Sequence, residues 1–139
     1  MIVTAKLDFS AAHRLHNPAR SADWNRQTYD KCDNPHGHGH NYILQVSVRG
    51  KVDPETGMVI DLKKLKDIMR ARVIDGVDHR NLNEDVDFLS GVIPTAENLA
   101  KVFWQRIATA VAPAELYEVL LHETERNSVV YRGEDEGDS

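Results

Sequence analysis

Ile2-Val3-Thr4-Ala5-Lys6-Leu7-Asp8-Phe9-Ser10-Ala11-Ala12-His13 decides the fold. Residues 2–11 alternate: Val3, Ala5, Leu7, Phe9 and Ala11 take one side, Thr4, Lys6, Asp8 and Ser10 the other. A period of two marks a strand with one buried face. His13 continues the apolar parity past the strand's end. Residues 40–49 alternate again, with Tyr42, Leu44, Val46 and Val48 on one side. Sequential strands tend to be neighbours, so the end of the first strand meets the start of the second. That brings His13 to His38 and His40, all in phase with the apolar positions. All three are expected on the helix-covered face, unless Gly39 introduces a bulge.

Residues 14–37 carry no period and include Pro18, Pro35, Trp24 and Tyr29. A loop of about two dozen residues is more often functional than idle. Asp53-Pro54-Glu55-Thr56-Gly57 reads as a turn and Met58-Val59-Ile60 as a short extended continuation. Asp61 suits an N-cap. Leu62, Leu65, Ile68, Met69 and Val73 then recur at helical spacing, predicting an amphipathic helix over 61–75. Residues 76–94 are polar and irregular. Thr95, after Pro94, caps a second helix whose stripe is Leu99, Ala100, Phe103, Ile107 and Val111 and which ends before Pro113. Strands over 116–123 and 128–132 follow, joined near Arg126-Asn127. The order ββααββ predicts an α+β fold: a four-stranded antiparallel sheet with two helices on one face. No linker or repeat divides the chain. Residues 1–133 are expected to form one domain, and 134–139 an acidic tail, frayed from Gly133 onward.

Composition narrows the function. The 139 residues carry a net charge of −5, which argues against a general nucleic-acid binder. No apolar run reaches membrane-spanning length, and no signal peptide is visible. Cys32 is the one cysteine, so a disulfide framework is excluded and a reducing, cytoplasmic setting is expected.

Chemistry concentrates in Cys32-Asp33-Asn34-Pro35-His36-Gly37-His38-Gly39-His40. In an extended chain, His36 and His40 would lie about 13 Å apart at Cα, too far for comfortable chelation. His13, His38 and His40 are therefore the better metal triad. Three imidazoles without a thiolate suit zinc with an open fourth position; iron and copper share these ligand types. Cys32 fits two roles, a fourth ligand that closes a structural site or a base whose thiolate a nearby cation favours. Asp78-His79 is a carboxylate–imidazole pair just past a helix end, where solvated side chains are the plainer reading. Glu123 ends a strand whose Tyr117, Val119 and Leu121 are apolar, and a carboxylate continuing that face needs a partner. His16, His36 and His122 read as ordinary polar residues.

These segments together resemble the 6-pyruvoyl-tetrahydropterin synthase family over nearly the whole chain. The resemblance is carried by Phe9-Ser10-Ala11-Ala12-His13-Arg14-Leu15, Cys32 to Tyr42, Gly50 to Val59, Asp78-His79-Arg80-Asn81-Leu82, Thr95-Ala96-Glu97-Asn98, Glu123-Thr124 and Val130 to Glu134. It implies a tunnelling fold, in which subunits close their sheets into a barrel and two trimeric rings stack into a homohexamer. It implies zinc on His13, His38 and His40, Cys32 as the proton-abstracting base, and Asp78 and His79 as its relay, from a different chain at a subunit interface. It also implies that Glu123 anchors the pterin's guanidine-like edge, assisted by the Thr95–Ala96 region. The implied reaction converts 7,8-dihydroneopterin triphosphate to 6-pyruvoyl-tetrahydropterin with loss of triphosphate.

A relative within the family, 6-carboxy-tetrahydropterin synthase of the queuosine route, shares the fold, zinc ligands and relay but releases acetaldehyde. It usually has a shorter gap between the cysteine and the His-Gly-His. Here five residues separate Cys32 from His38, which resembles the pyruvoyl branch, as do Asn34-Pro35 and Asn41-Tyr42. His36 departs from the family's uncharged polar residue, Ala96 from a common second hydroxyl, and Val77 from the more frequent leucine. The alternative outside enzymology is a non-catalytic zinc module closed by Cys32.

Overall fold

The computed structural model describes residues 1–137. The elements run β1 (Ile2–His13), α1 (Ala22–Tyr29), β2 (His38–Arg49), α2 (Leu62–Met69), β3 (Arg80–Asn81), α3 (Ala96–Ile107), β4 (Glu115–His122) and β5 (Ser128–Tyr131). The fold is α+β. Among the described residues the sheet has five strands in the order β3-β1-β2-β4-β5. It is mixed, not the four-stranded antiparallel sheet expected, because β3 pairs parallel to β1. Two residues in a polar stretch have no period to betray them. Their pairing is fixed by the His79 N–H to Ser10 C=O bond (2.6 Å), by the Leu82 N–H to Ala12 C=O bond (2.8 Å) and by the burial of Leu82.

Residues 14–37 are not irregular throughout. They contain α1, followed by a 3-10 turn, Asp30–Asp33. Ser21 caps α1 by accepting from Trp24 N–H. The helix is anchored by a polar residue, the fully buried Asn25. Its Oδ1 accepts from Asn17 N–H at 2.7 Å, and its Nδ2 donates to the Asn17 and Ser21 carbonyls. An amide in place of an apolar stripe hid this helix from the hydrophobic period. The expected helix over 61–75 starts on its predicted cap, with Asp61 accepting from Lys63 N–H. After Met69 it widens into a π-turn, Arg70–Ile74, and a final helical turn to Val77. Residues 58–60 bend and form no strand.

Parity holds in the core. Phe9 and Ala11 of β1 and Tyr42, Leu44, Val46 and Val48 of β2 are buried with Leu65, Met69, Leu99, Phe103 and Ile107 of the helices. Phe9 stacks on Tyr42 at 4.7 Å between ring centres and meets Phe103 edge-on at 6.0 Å. Phe103→Ala removes a fully buried ring and is expected to cost about 3–5 kcal/mol in denaturant unfolding. A loss within the roughly 0.5 kcal/mol of ordinary surface changes would show that α3 does not hold the sheet.

As far as it is described, the C-terminal segment turns back against the fold. Gly133 (φ +79°) lets the chain turn against Trp104, where a Cβ would lie 2.6 Å from the ring. Glu136 N–H then donates to the Gly133 carbonyl, and Asp135 pairs with Lys101 at 3.1 Å. Asp138 and Ser139, the end of the predicted tail, lie outside the described residues.

Candidate active site

β1 and β2 pair in one unbroken register that sets His13 opposite His38 and Ala11 opposite His40. Gly39 makes no bulge there; the sheet's irregularity falls at Ser47/Val48, against β4. The chain enters β2 through Gly37 (φ +73°), which runs so close to His13 that a Cβ would sit 3.1 Å from the His13 carbonyl oxygen. The rings of His13, His38 and His40 consequently converge, with centres 4.6–5.1 Å apart. One nitrogen from each lies within 4.8 Å of the others. His36 is exposed and outside this group.

The electrostatics favour neutral imidazoles at His13 and His40. His13 is fully buried, and its Nδ1–H donates to the Pro94 carbonyl at 2.8 Å. A carbonyl only accepts, so the proton stays on Nδ1 and the Nε2 lone pair faces the cluster. Burial lowers the His13 pKa to about 4, outweighing the Pro94 bond, with His38 and His40 adding to the shift. His40 is lowered as well, first by burial, against the opposing pull of Glu123. His13 Nε2 lies 3.1 Å from His38 Nε2. His40 Nε2 is buried without a hydrogen-bond partner among the described residues. An orphaned buried nitrogen is costly, and a cation at this point would satisfy it. Three convergent imidazoles fit a divalent metal ion.

Glu123 stands just beyond β4, its N–H donating to Asn127 C=O across the predicted turn. Its Oε1 is 3.7 Å from His40 Nε2. The carboxylate lines a cavity of about 250 Å³ with Thr95, Ala96, Asn127, Ser128 and Val129. Thr95 is the predicted N-cap, accepting from Asn98 N–H at 3.2 Å. The three residues expected to bind substrate are thus neighbours, and they border the histidine cluster.

Cys32 is half-buried and lines a larger cavity, about 780 Å³, together with Arg14, His16, Lys31, Asp33 and His38. It adjoins the histidine cluster through His38 but is not a member of it. Asp78 and His79 do form a pair, with Asp78 Oδ1 2.9 Å from His79 Nδ1 and accepting from Ser10 N–H at 3.0 Å. His79 has φ +61°, an uncommon conformation for a side-chain-bearing residue, of the kind that concentrates at functional sites. His79, though not Asp78, borders a different depression, about 450 Å³, lined also by Ser10, His40 and Asn41 but not by Cys32. One chain therefore does not bring Cys32 and the Asp78–His79 pair into a common cavity.

The cluster made by Asp33, Arg14 and His16 was not legible in the sequence. Asp33 is buried, with His16 Nδ1 at 2.6 Å and Arg14 Nη2 at 3.1 Å. Its partners lie 17 and 19 residues earlier, in an aperiodic stretch. The only available signal was Arg14's place beside His13.

A family model described as 6-pyruvoyl tetrahydropterin synthase matches residues 2–134. A 6-pyruvoyl tetrahydrobiopterin synthase of Poecilia reticulata is 47% identical over 132 residues, covering 95% of this chain and 90% of that protein. The Homo sapiens protein of the same name is 42% identical over 132 residues, covering 95% and 91%. The solved structure of Caenorhabditis elegans 6-pyruvoyl tetrahydropterin synthase superposes with a TM-score of 0.86 at 45% identity, covering 96% of each chain. Sequence and backbone agree across almost the full length, the histidine-bearing strands included, so this chain belongs to the 6-pyruvoyl tetrahydropterin synthase family.

Proposed function

We propose that the protein is a zinc-dependent lyase that converts 7,8-dihydroneopterin triphosphate to 6-pyruvoyl-tetrahydropterin with loss of triphosphate. The observation that carries this reading is the contact between two half-sites: His40 Nε2 lies 3.7 Å from Glu123 Oε1. A ligand held by the carboxylate would have its side chain beside the three imidazoles. The names of relatives at 42–47% identity support the same reading.

His13, His38 and His40 would hold the zinc, which when bound supplies Lewis acidity toward the substrate's side-chain oxygens. Glu123 accepts two neighbouring N–H groups of the pterin's guanidine-like edge, a charge-assisted pairing that fixes the ring. Thr95 and Ala96 form the adjoining wall. The Cys32 thiolate takes the carbon-bound proton next to the side-chain oxygens. Asp78 orients His79, whose imidazole exchanges that proton and resets the thiolate. The ring gains the hydrogens that the side chain gives up, so no outside oxidant or reductant is needed, and triphosphate leaves.

Cys32 and His79 border separate cavities, which supports a site completed by a second subunit. We infer a homohexamer of two stacked trimers, built from residues 1–133 as one unit and working in the cytoplasm. No helix among the described residues is long and apolar enough to cross a membrane. Incubation with 7,8-dihydroneopterin triphosphate should yield triphosphate and a product of the mass of 6-pyruvoyl-tetrahydropterin. Release of acetaldehyde instead would assign the chain to the carboxy branch.

A further inference from the structure

Next to Cys32 lies a buried carboxylate that the chemistry above does not use. The Asp33 side chain is 8% exposed. Its Oδ1 receives His16 Nδ1–H at 2.6 Å and lies 3.1 Å from Arg14 Nη2 as an ion pair. Arg14 Nε–H also donates to the Asp33 carbonyl at 2.8 Å. Leu15 N–H donates to the Cys32 carbonyl at 2.8 Å. Three consecutive residues leaving β1 therefore grip two consecutive residues of the turn that bears the thiol.

The grip is anchored from behind. Arg14 N–H donates to Asn83 Oδ1 at 2.8 Å, and Arg14 C=O accepts from Asn83 Nδ2 at 2.9 Å. Arg14 is thus fixed before its guanidinium reaches Asp33. The turn itself has little else to hold it. Asp30–Asp33 is a four-residue 3-10 helix with no side-chain cap, entered through Asp30 at φ +52°. A carboxylate buried away from its charged partner is strongly disfavoured, and Asp33 has the Arg14 guanidinium at 3.1 Å and a His16 hydrogen bond, so the turn is held where Arg14 and His16 meet it.

We propose that Asp33 is a positioning residue, whose carboxylate, gripped by Arg14 and His16, fixes the turn that presents the Cys32 thiol to the cavity shared with His38. This deepens the reading of Cys32 as the base and rests on it. Cys32 is the one cysteine, so its reactivity can be followed without interference. In Asp33→Ala, alkylation of Cys32 by iodoacetamide, read by mass spectrometry, should speed up several-fold. The sulfur becomes more accessible, and the unpaired Arg14 guanidinium nearby favours the thiolate. Misplacing the base should lower kcat about 100-fold while KM moves far less. Asp33→Asn keeps an oxygen acceptor and should recover a large part of both.

A folded Asp33→Ala protein with unchanged alkylation and unchanged kcat overturns the proposal, even if its melting temperature falls. So does an Asp33→Asn protein as impaired as Asp33→Ala. If Asp33→Ala does not fold, His16→Ala removes one of the two side-chain grips. It should shift both readouts in the same direction by less, and no shift in either overturns the proposal. Alkylation needs no turnover. A wild-type protein inert toward the pterin triphosphate would sink the functional reading, and the alkylation rates would still decide whether Asp33 positions Cys32.

Discussion

His38→Ala is expected to abolish metal binding and to reduce turnover by more than the roughly 10–100-fold that follows loss of an outer-shell partner. His38 is the member of the triad that also faces the Cys32 cavity. Its Nε2 is 3.1 Å from His13 Nε2, and its side chain lines the Cys32 cavity. With two imidazoles left, the site falls below the three protein ligands usual for catalytic zinc. The control is His36→Ala two residues earlier, an exposed position outside the cluster, where metal content and kcat should stay at wild-type values. Elemental analysis after purification, paired with turnover, checks both variants. Zinc retained by His38→Ala at wild-type stoichiometry would refute the triad.

Cys32→Ala should do the opposite to the metal. The thiol lies outside the ligand group, so zinc content should be unchanged while kcat drops about 10²–10⁴-fold, the range for loss of a positioned acid or base. The two substitutions therefore separate the two roles that the sequence left open for this cysteine. Loss of zinc from Cys32→Ala would make it a ligand and favour the non-catalytic module.

The convergence of the three histidines was legible in the sequence. The alternation of residues 2–11 and 40–49 placed three histidines in phase, and the register of β1 on β2 keeps them there. Period-two patterns survive folding because one buried face penalises any slip by a residue. Thr95 and Asp61 cap helices as predicted, since a cap is a local event. The failures share a cause. α1 packs through Asn25, β3 is two residues long, and Asp33 is secured by groups from another segment. Each depends on polar contacts, local for Asn25 and between segments for β3 and Asp33, which leave no hydrophobic rhythm to read.

Pro94 and Thr95 form a single peptide step with three duties. The Pro94 carbonyl sets the tautomer of His13, the Thr95 hydroxyl starts α3, and Thr95 borders the Glu123 cavity. Anyone redesigning this protein to accept a bulkier heterocycle inherits that coupling. Widening the cavity from the Thr95 side would disturb metal affinity and helix nucleation together. The Asn127–Val129 wall carries neither duty and is the place to begin.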